Sequence, residues 1–199
     1  IKKDLTMKLI EKYLNNPCGT LSIPYWKHKN IRTPEHMLIM HERDFSEQQY
    51  IEYADQKYFR LYHTLKQIEE NTLDGFIIKT ASKNDIPVFV NVINRSYDDI
   101  TISYEQLIEF TKTKVYDSNL WVLVLDKPTL NVVGCGIAEL DKEICEGIIE
   151  WIQVLPEYRG KKIGALLVNE LLKRLSRVAD FATVSGKKDN STQPERLYR

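Results

Sequence analysis

The chain has 199 residues, enough for one large domain or two small ones with a core that needs no staples. Its 28 basic and 28 acidic side chains cancel, so net charge gives no pull toward nucleic acid or an anionic membrane. Apolar residues at 43% and charged residues at 28%, with no apolar run of membrane-spanning length, exclude a membrane-embedded or disordered chain.

The three cysteines, Cys18, Cys135 and Cys145, are too few and too scattered for a disulfide framework. They read as small apolar fillers in a reducing cytoplasm. The opening Ile1-Lys2-Lys3-Asp4 has no signal-peptide core, and the missing initial Met leaves room for residues ahead of it.

Residues 1–72 read as an N-terminal extension. Apolar residues at Met7, Leu9, Ile10, Tyr13 and Leu14 predict a helix over 6–14, stopped by Asn15-Asn16-Pro17-Cys18-Gly19. Leu21 to Trp26 reads as an extended piece broken by Pro24, and Met37-Leu38-Ile39-Met40 as a short strand within 36–41. The aromatic-rich stretch from Phe45 to Gln67 reads as helical.

From 73 onward the pattern is regular. Phe76 to Thr80 predicts a strand. Asp85 caps a helix reaching Tyr97, with Pro87 at an early position, and Ser103 caps a second over 105–112. Three β-rich runs follow at 120–125, 132–140 and 147–154, separated by turns at Asp126-Lys127-Pro128-Thr129 and Asp141-Lys142-Glu143. A helix over 163–177 carries Leu166, Leu167, Leu171, Leu172 and Leu175 on one face. A strand at 181–185 and a helix starting at Gln193 close the order. Short turns imply antiparallel neighbours, and the last strand–helix–strand unit implies a parallel pair. The expected fold is therefore a mixed α/β sheet with helices on both faces.

The chemistry concentrates at Leu155-Pro156-Glu157-Tyr158-Arg159-Gly160-Lys161-Lys162-Ile163-Gly164-Ala165, where a strand passes through a cationic loop into a helix. Such a junction presents unpaired backbone N–H groups and the positive end of a helix dipole to an anion such as a pyrophosphate. Gly160 and Gly164 lack a Cβ that would block its approach, and Arg159, Lys161 and Lys162 add charge. The plainer alternative is a surface loop of solvated lysines. Neither the spacing of a Walker loop nor Gly-x-Gly-x-x-Gly is present.

The run Val154-x-Pro156-x-Tyr158-Arg159-Gly160-Lys161-x-Ile163-Gly164-x-Leu166-Leu167 resembles motif A of the GNAT N-acetyltransferase superfamily, whose pattern is Arg/Gln-x-x-Gly-x-Gly/Ala. Arg159 and Gly164 match its ends, while Lys162 stands where the first glycine is usual. Gly134-x-Gly136 and Asn190 with Leu197-Tyr198 are weaker matches. The resemblance spans residues 73–199 and implies a GNAT-type acyl-CoA N-acyltransferase fold, with acetyl-CoA as acyl donor and a small-molecule or peptide amine as acceptor.

The resemblance further implies that backbone groups of Ile152, Gln153 and Val154 pair with the pantetheine arm, and that the Val154 N–H polarises the thioester carbonyl. Arg159, Gly160, Lys161, Lys162, Ile163, Gly164, Ala165 and Asn190 would complete coenzyme binding. Glu150, four residues before Val154 and on its face at period two, resembles the glutamate base of some members. It reads equally as an exposed strand carboxylate. Tyr198 corresponds to the tyrosine acid that protonates the leaving thiolate, or is an interior helix tyrosine.

His28, His36, His41 and His63 fit no zinc spacing, so no metal is expected. A non-catalytic acyl-CoA-binding sensor on the same fold is the alternative function. The family continues past its tyrosine into two further strands, whereas this chain stops at Arg199. The sequence therefore suggests a shortened chain, or a homodimer whose partner completes the sheet.

Overall fold

Strands β2 (Phe76–Thr80), β3 (Trp121–Asp126), β4 (Val132–Asp141) and β5 (Glu146–Val154) pair antiparallel in sequence order. The computed structural model describes residues 2–97, 100–190 and 192–199. Tight turns make the antiparallel order possible. The Asp126 carboxylate accepts hydrogen bonds from the Thr129 N–H (3.3 Å) and hydroxyl (2.6 Å) between β3 and β4. Asp141 accepts from the Glu143 N–H at 2.9 Å between β4 and β5. These strands lie in a unit of residues 64–182 joined by Tyr198.

Helices α4 (Ile86–Ser96) and α5 (Tyr104–Phe110) cover one face of this unit. Phe89, Val92, Ile93 and Leu107 pack there against Trp121, Leu123, Cys135 and Ile137, all buried. Ser103 starts α5 through a reciprocal capping box with Gln106, at 3.2 and 2.8 Å. Asp85 does not cap α4 as expected. Its carboxylate instead accepts from the N–H and hydroxyl of Ser82, both at 2.8 Å, closing a 3₁₀ turn that leads into the helix.

Helix α6 (Ile163–Leu175) covers the other face with Ile163, Leu167, Leu171 and Leu175, each at most 1% exposed. Gly134, Gly136 and Gly147 clear the path for it. A Cβ on Gly147 would come within 2.6 Å of Leu175, and one on Gly136 within 3.1 Å of Leu171. Strand β6 (Phe181–Lys187) neighbours β5, giving the order β6-β5-β4-β3-β2. A helical crossover between adjacent strands brings them parallel, so the sheet is mixed, as the sequence predicts.

The second unit comprises residues 1–63, 183–197 and 199. It holds α1 (Lys2–Asn15), α2 (Pro17–Thr20), α3 (Tyr25–Asn30), β1 (Tyr58–His63) and the remainder of β6. Helix α7 (Glu195–Tyr198) belongs to it except for Tyr198.

Three expectations fail in the N-terminal segment. The run 45–67 is not a helix but turns followed by β1; residues 36–41 form no strand; and Tyr25 begins a helix right after Pro24. Strand β1 lies antiparallel beside β6. The Lys188 N–H donates to the Lys57 carbonyl at 2.8 Å, the Phe59 ring lies where a Gly186 Cβ would be, and Arg60 reaches the hydroxyls of Ser185 and Thr183 at 3.1 and 3.2 Å. The outer side of β6, which the sequence leaves bare, is thus taken by a strand of this chain.

Candidate active site

The β5–α6 junction begins where β5 ends. The Leu155 N–H donates to the Val133 carbonyl at 3.0 Å, so residue 155 faces β4 in the hydrogen-bonding plane. Backbone groups alternate sides along an antiparallel strand. Gln153 therefore also faces β4, opposite Cys135, while the N–H groups of Ile152 and Val154 turn away from it. The Val154 carbonyl is occupied by the Ser96 hydroxyl and Arg159 Nε, each at 3.4 Å.

Arg159 does something the motif does not suggest. Its Nη2 donates to the Ser96 carbonyl at 2.8 Å, satisfying the exposed C-terminal end of α4. With the contact to Val154, the guanidinium ties three pieces of chain together. A second link runs from Arg95 to Glu157 at 2.7 Å, and the Glu157 carboxyl is held below its usual range by its own backbone N–H and by Arg95. Lys161 lies over the Tyr158 ring at 4.7 Å.

Lys162 precedes α6 in the left-handed region, at φ 62° and ψ 13°, and Gly160 lies at φ 78°. This accounts for glycine at the Lys162 position of the motif, since that backbone conformation is costly for a residue with a Cβ. The first helical bond of α6 runs from the Leu166 N–H to the Lys162 carbonyl at 3.1 Å. The N–H groups of Ile163, Gly164 and Ala165 precede that ladder, and the N-cap residue Lys162 gives them no side-chain cap. Their dipole end and the adjoining lysines form a cradle suited to phosphate oxygens. Ile163 itself points inward, 1% exposed. Asn190 lies in the smaller unit, where its side-chain oxygen accepts from the Thr192 N–H and hydroxyl at 2.9 and 2.7 Å, an Asx turn.

Glu150 lies at a β-bulge. Ile137 is opposite Trp151 but Ala138 is opposite Ile149, so Glu150 is the extra residue of β5. The period-two count from Val154 fails across this bulge, and the bulge decides where Glu150 points. Tyr198 groups with the larger unit and neighbours this position. Burial pushes its phenol up from the ordinary value, and the nearby Tyr97 and Glu150 push it further.

Tyr97, which the sequence reading takes only as the end of a helix, also belongs to this group. Its hydroxyl accepts from Gln153 Nε2 at 2.8 Å and its ring meets the Trp151 ring edge-on, centroids 6.2 Å apart. No sequence signal marks it, because it follows a helix end rather than a motif. Among the described residues no cluster of three His, Cys, Asp or Glu side chains could hold a metal, and no helix is long and apolar enough to cross a membrane.

Comparison with known proteins bears on this geometry. Residues 116–199 match the acetyltransferase (GNAT) domain family. A GCN5-related N-acetyltransferase from Sphaerobacter thermophilus shares the fold at TM-score 0.61 and 20% identity, over 71% of this chain and 46% of that one. This chain thus spans about half of that protein's length. Ard1 from Thermoplasma volcanium is similar at TM-score 0.53 and 15% identity, over 62% and 79% of the two chains. The ribosomal-protein-S18-alanine N-acetyltransferase from Escherichia coli is similar at TM-score 0.52 and 17% identity, over 62% and 74%. Residues 116–199 thus match the GNAT acetyltransferase domain family, and the chain shares its fold with GCN5-related N-acetyltransferases.

Proposed function

We propose that this chain is an N-acetyltransferase that moves an acetyl group from acetyl-CoA to an amine by direct attack. The observation that carries the reading is the buried Tyr198 phenol, whose ionisation the Glu150 carboxylate at the β5 bulge also opposes. That carboxylate lies on the strand whose end turns the Val154 N–H away from β4 and leads into the start of α6. The N–H groups of Ile163, Gly164 and Ala165, with Lys161 and Lys162, would hold the pyrophosphate. Backbone groups of Ile152 and Val154 would hold the pantetheine arm as an added strand does.

Acetyl-CoA supplies the acyl carbon. Glu150 takes the proton that the acceptor ammonium must lose before its nitrogen can attack. The Val154 N–H donates to the thioester oxygen as negative charge builds there. As the C–N bond forms and the C–S bond breaks, the thiolate leaves with the Tyr198 phenolic proton, and the proton shed by the acylated nitrogen returns to the Tyr198 oxygen. Tyr198 carries its proton at neutral pH, as tyrosines ordinarily do, and so has one to give. The E. coli structural relative is named for acetylating a protein alanine, so a peptide amine is one acceptor class and a small-molecule amine the other. A reducing cytoplasm suits a chain whose three cysteines form no disulfide.

The test is thiol release from acetyl-CoA across a panel of amines and peptides. Glu150→Gln and Tyr198→Phe should each lower kcat by about 100-fold, within the usual range for a lost acid or base, with acetyl-CoA affinity retained. Tight acetyl-CoA binding without transfer to any amine would instead make the domain an acyl-CoA sensor. That reading draws support from Lys162 in place of glycine and from Arg159 being spent on Ser96.

A further inference from the structure

A cavity of about 410 Å³ lies on the α4 side of the sheet, away from the face that α6 covers, and the proposed transfer does not use it. Helix α4 builds one wall. Asn91, Val92 and Arg95 share a helix face there at spacings of three and four. The floor is apolar: Val92, Val133 and Leu155 are 3%, 0% and 4% exposed. The rim is polar. Asn91 and Asn131 stand exposed on it, and among the described residues neither side-chain amide bonds to the protein. Arg95 and Glu157 also line the cavity, as a half-exposed ion pair at 2.7 Å.

A lone anion in this cavity would meet Glu157 as well as Arg95, and a lone cation would meet Arg95 as well as Glu157. A ligand that carries both charges on neighbouring groups answers both. A guanidinium has N–H donors on three nitrogens and a carboxylate has two accepting oxygens, so each can hold such a ligand without releasing the other. The two side-chain amides serve the same ligand, donating to its carboxylate and accepting from its ammonium. The floor takes an uncharged side chain, and the volume falls at the small end of the range for small-molecule sites. We propose that this cavity is a regulatory site for a free aliphatic α-amino acid: Arg95 holds its carboxylate, Glu157 its ammonium, and Val92, Val133 and Leu155 its side chain. Bound there, the amino acid joins α4 to the loop that leads from β5 into α6, and so steadies the cradle. That regulatory step rests on the coenzyme reading of the cradle; the binding site does not.

Calorimetry on the full chain with leucine, valine and isoleucine tests the site. Leucine should bind. Leucinamide, which lacks the carboxylate, and isocaproate, which lacks the ammonium, should each bind about tenfold more weakly, as loss of a charged hydrogen-bonding partner costs. Asn91→Leu places a good helix former at an exposed helix position and fills the cavity, so it should abolish binding at an unchanged melting temperature. Arg95→Gln should weaken binding about tenfold. Leucine should also tighten acetyl-CoA binding about fivefold, and acetyl-CoA should tighten leucine binding by the same factor. No binding of any of the three amino acids, equal binding of leucine and both analogues, or wild-type binding by Asn91→Leu overturns the site. Leucine binding that leaves acetyl-CoA affinity unmoved, or N-acetylation of leucine that Asn91→Leu abolishes, overturns the regulatory role. Absence of acetyl-CoA binding overturns the coenzyme reading, and the regulatory role with it, but not the amino-acid site.

Discussion

Lys162 carries a local backbone cost at a position where the motif it resembles has glycine. A side chain at φ 62° costs about 1–2 kcal/mol relative to glycine in the folded state, while glycine loses about 0.5–1 kcal/mol through its freer unfolded chain. Lys162→Gly should therefore stabilise the chain by about 0.5–1 kcal/mol, read as a higher denaturant midpoint at unchanged slope. A lower midpoint would mean that the lysine side chain contributes more than its backbone costs.

The proposed acid and base, Tyr198 and Glu150, give a prediction about pH. The folded pKa of Tyr198 lies above its unfolded value, so the unfolded phenol ionises first. Its contribution to stability is then complete below about pH 10, the unfolded tyrosine value, and is lost as pH rises through the folded one. Glu150→Gln removes one of the charges that push Tyr198 up, so Tyr198 should ionise at lower pH in that variant. Ultraviolet phenolate absorbance, taken as the difference between chains with and without Tyr198→Phe, reads this directly. An unmoved or rising ionisation would separate Glu150 from Tyr198.

At the scale of elements, the sequence was most legible where local pattern and local structure coincide. The runs from β2 to β6 alternate or repeat at the periods their elements need, and the glycines of β4 and β5 sit where α6 packs. The stretch 45–67 misled because its aromatic residues satisfy a helical count, whereas β1 is stabilised by pairing with residues around 183–188, far along the chain. No local period encodes such a partner. The candidate site divides the same way. The motif marks the β5–α6 junction, but the bulge at Glu150, the bond from Arg159 to Ser96 and that from Gln153 to Tyr97 arise from register and from contacts across elements.

One close approach decides the seating of α6. A Cβ on Gly134 would come within 2.8 Å of the Gln153 carbonyl oxygen, a backbone atom that cannot rotate aside, and within 3.4 Å of Ile163. Gly134→Ala should cost about 1–3 kcal/mol, as overpacking does. It should also weaken acetyl-CoA binding, since the strained backbone is the one that turns Val154 outward. An alanine chain as stable as wild type would show that β5 can shift without loss.

At the scale of the whole molecule, the N-terminal segment has a structural task apart from any acceptor. Strand β1 ends the strand order beside β6, where an open row of N–H and C=O groups would otherwise template association. Phe59 holds it there: the ring is 5% exposed and occupies the space that the missing Cβ of Gly186 leaves. Phe59→Ala should destabilise the chain by about 3–5 kcal/mol, the usual cost of removing a buried phenyl ring. That is enough to release β1 before the rest unfolds. Trp26 lies in the same unit while Trp121 and Trp151 lie in the other, so emission from a chain keeping only Trp26 should change at lower denaturant than emission from one keeping only the other two. Light scattering should rise in that interval as the side of β6 is bared. If both emissions change together and the solution stays clear, β1 is dispensable for closing the sheet, and its contribution is that of an ordinary buried ring.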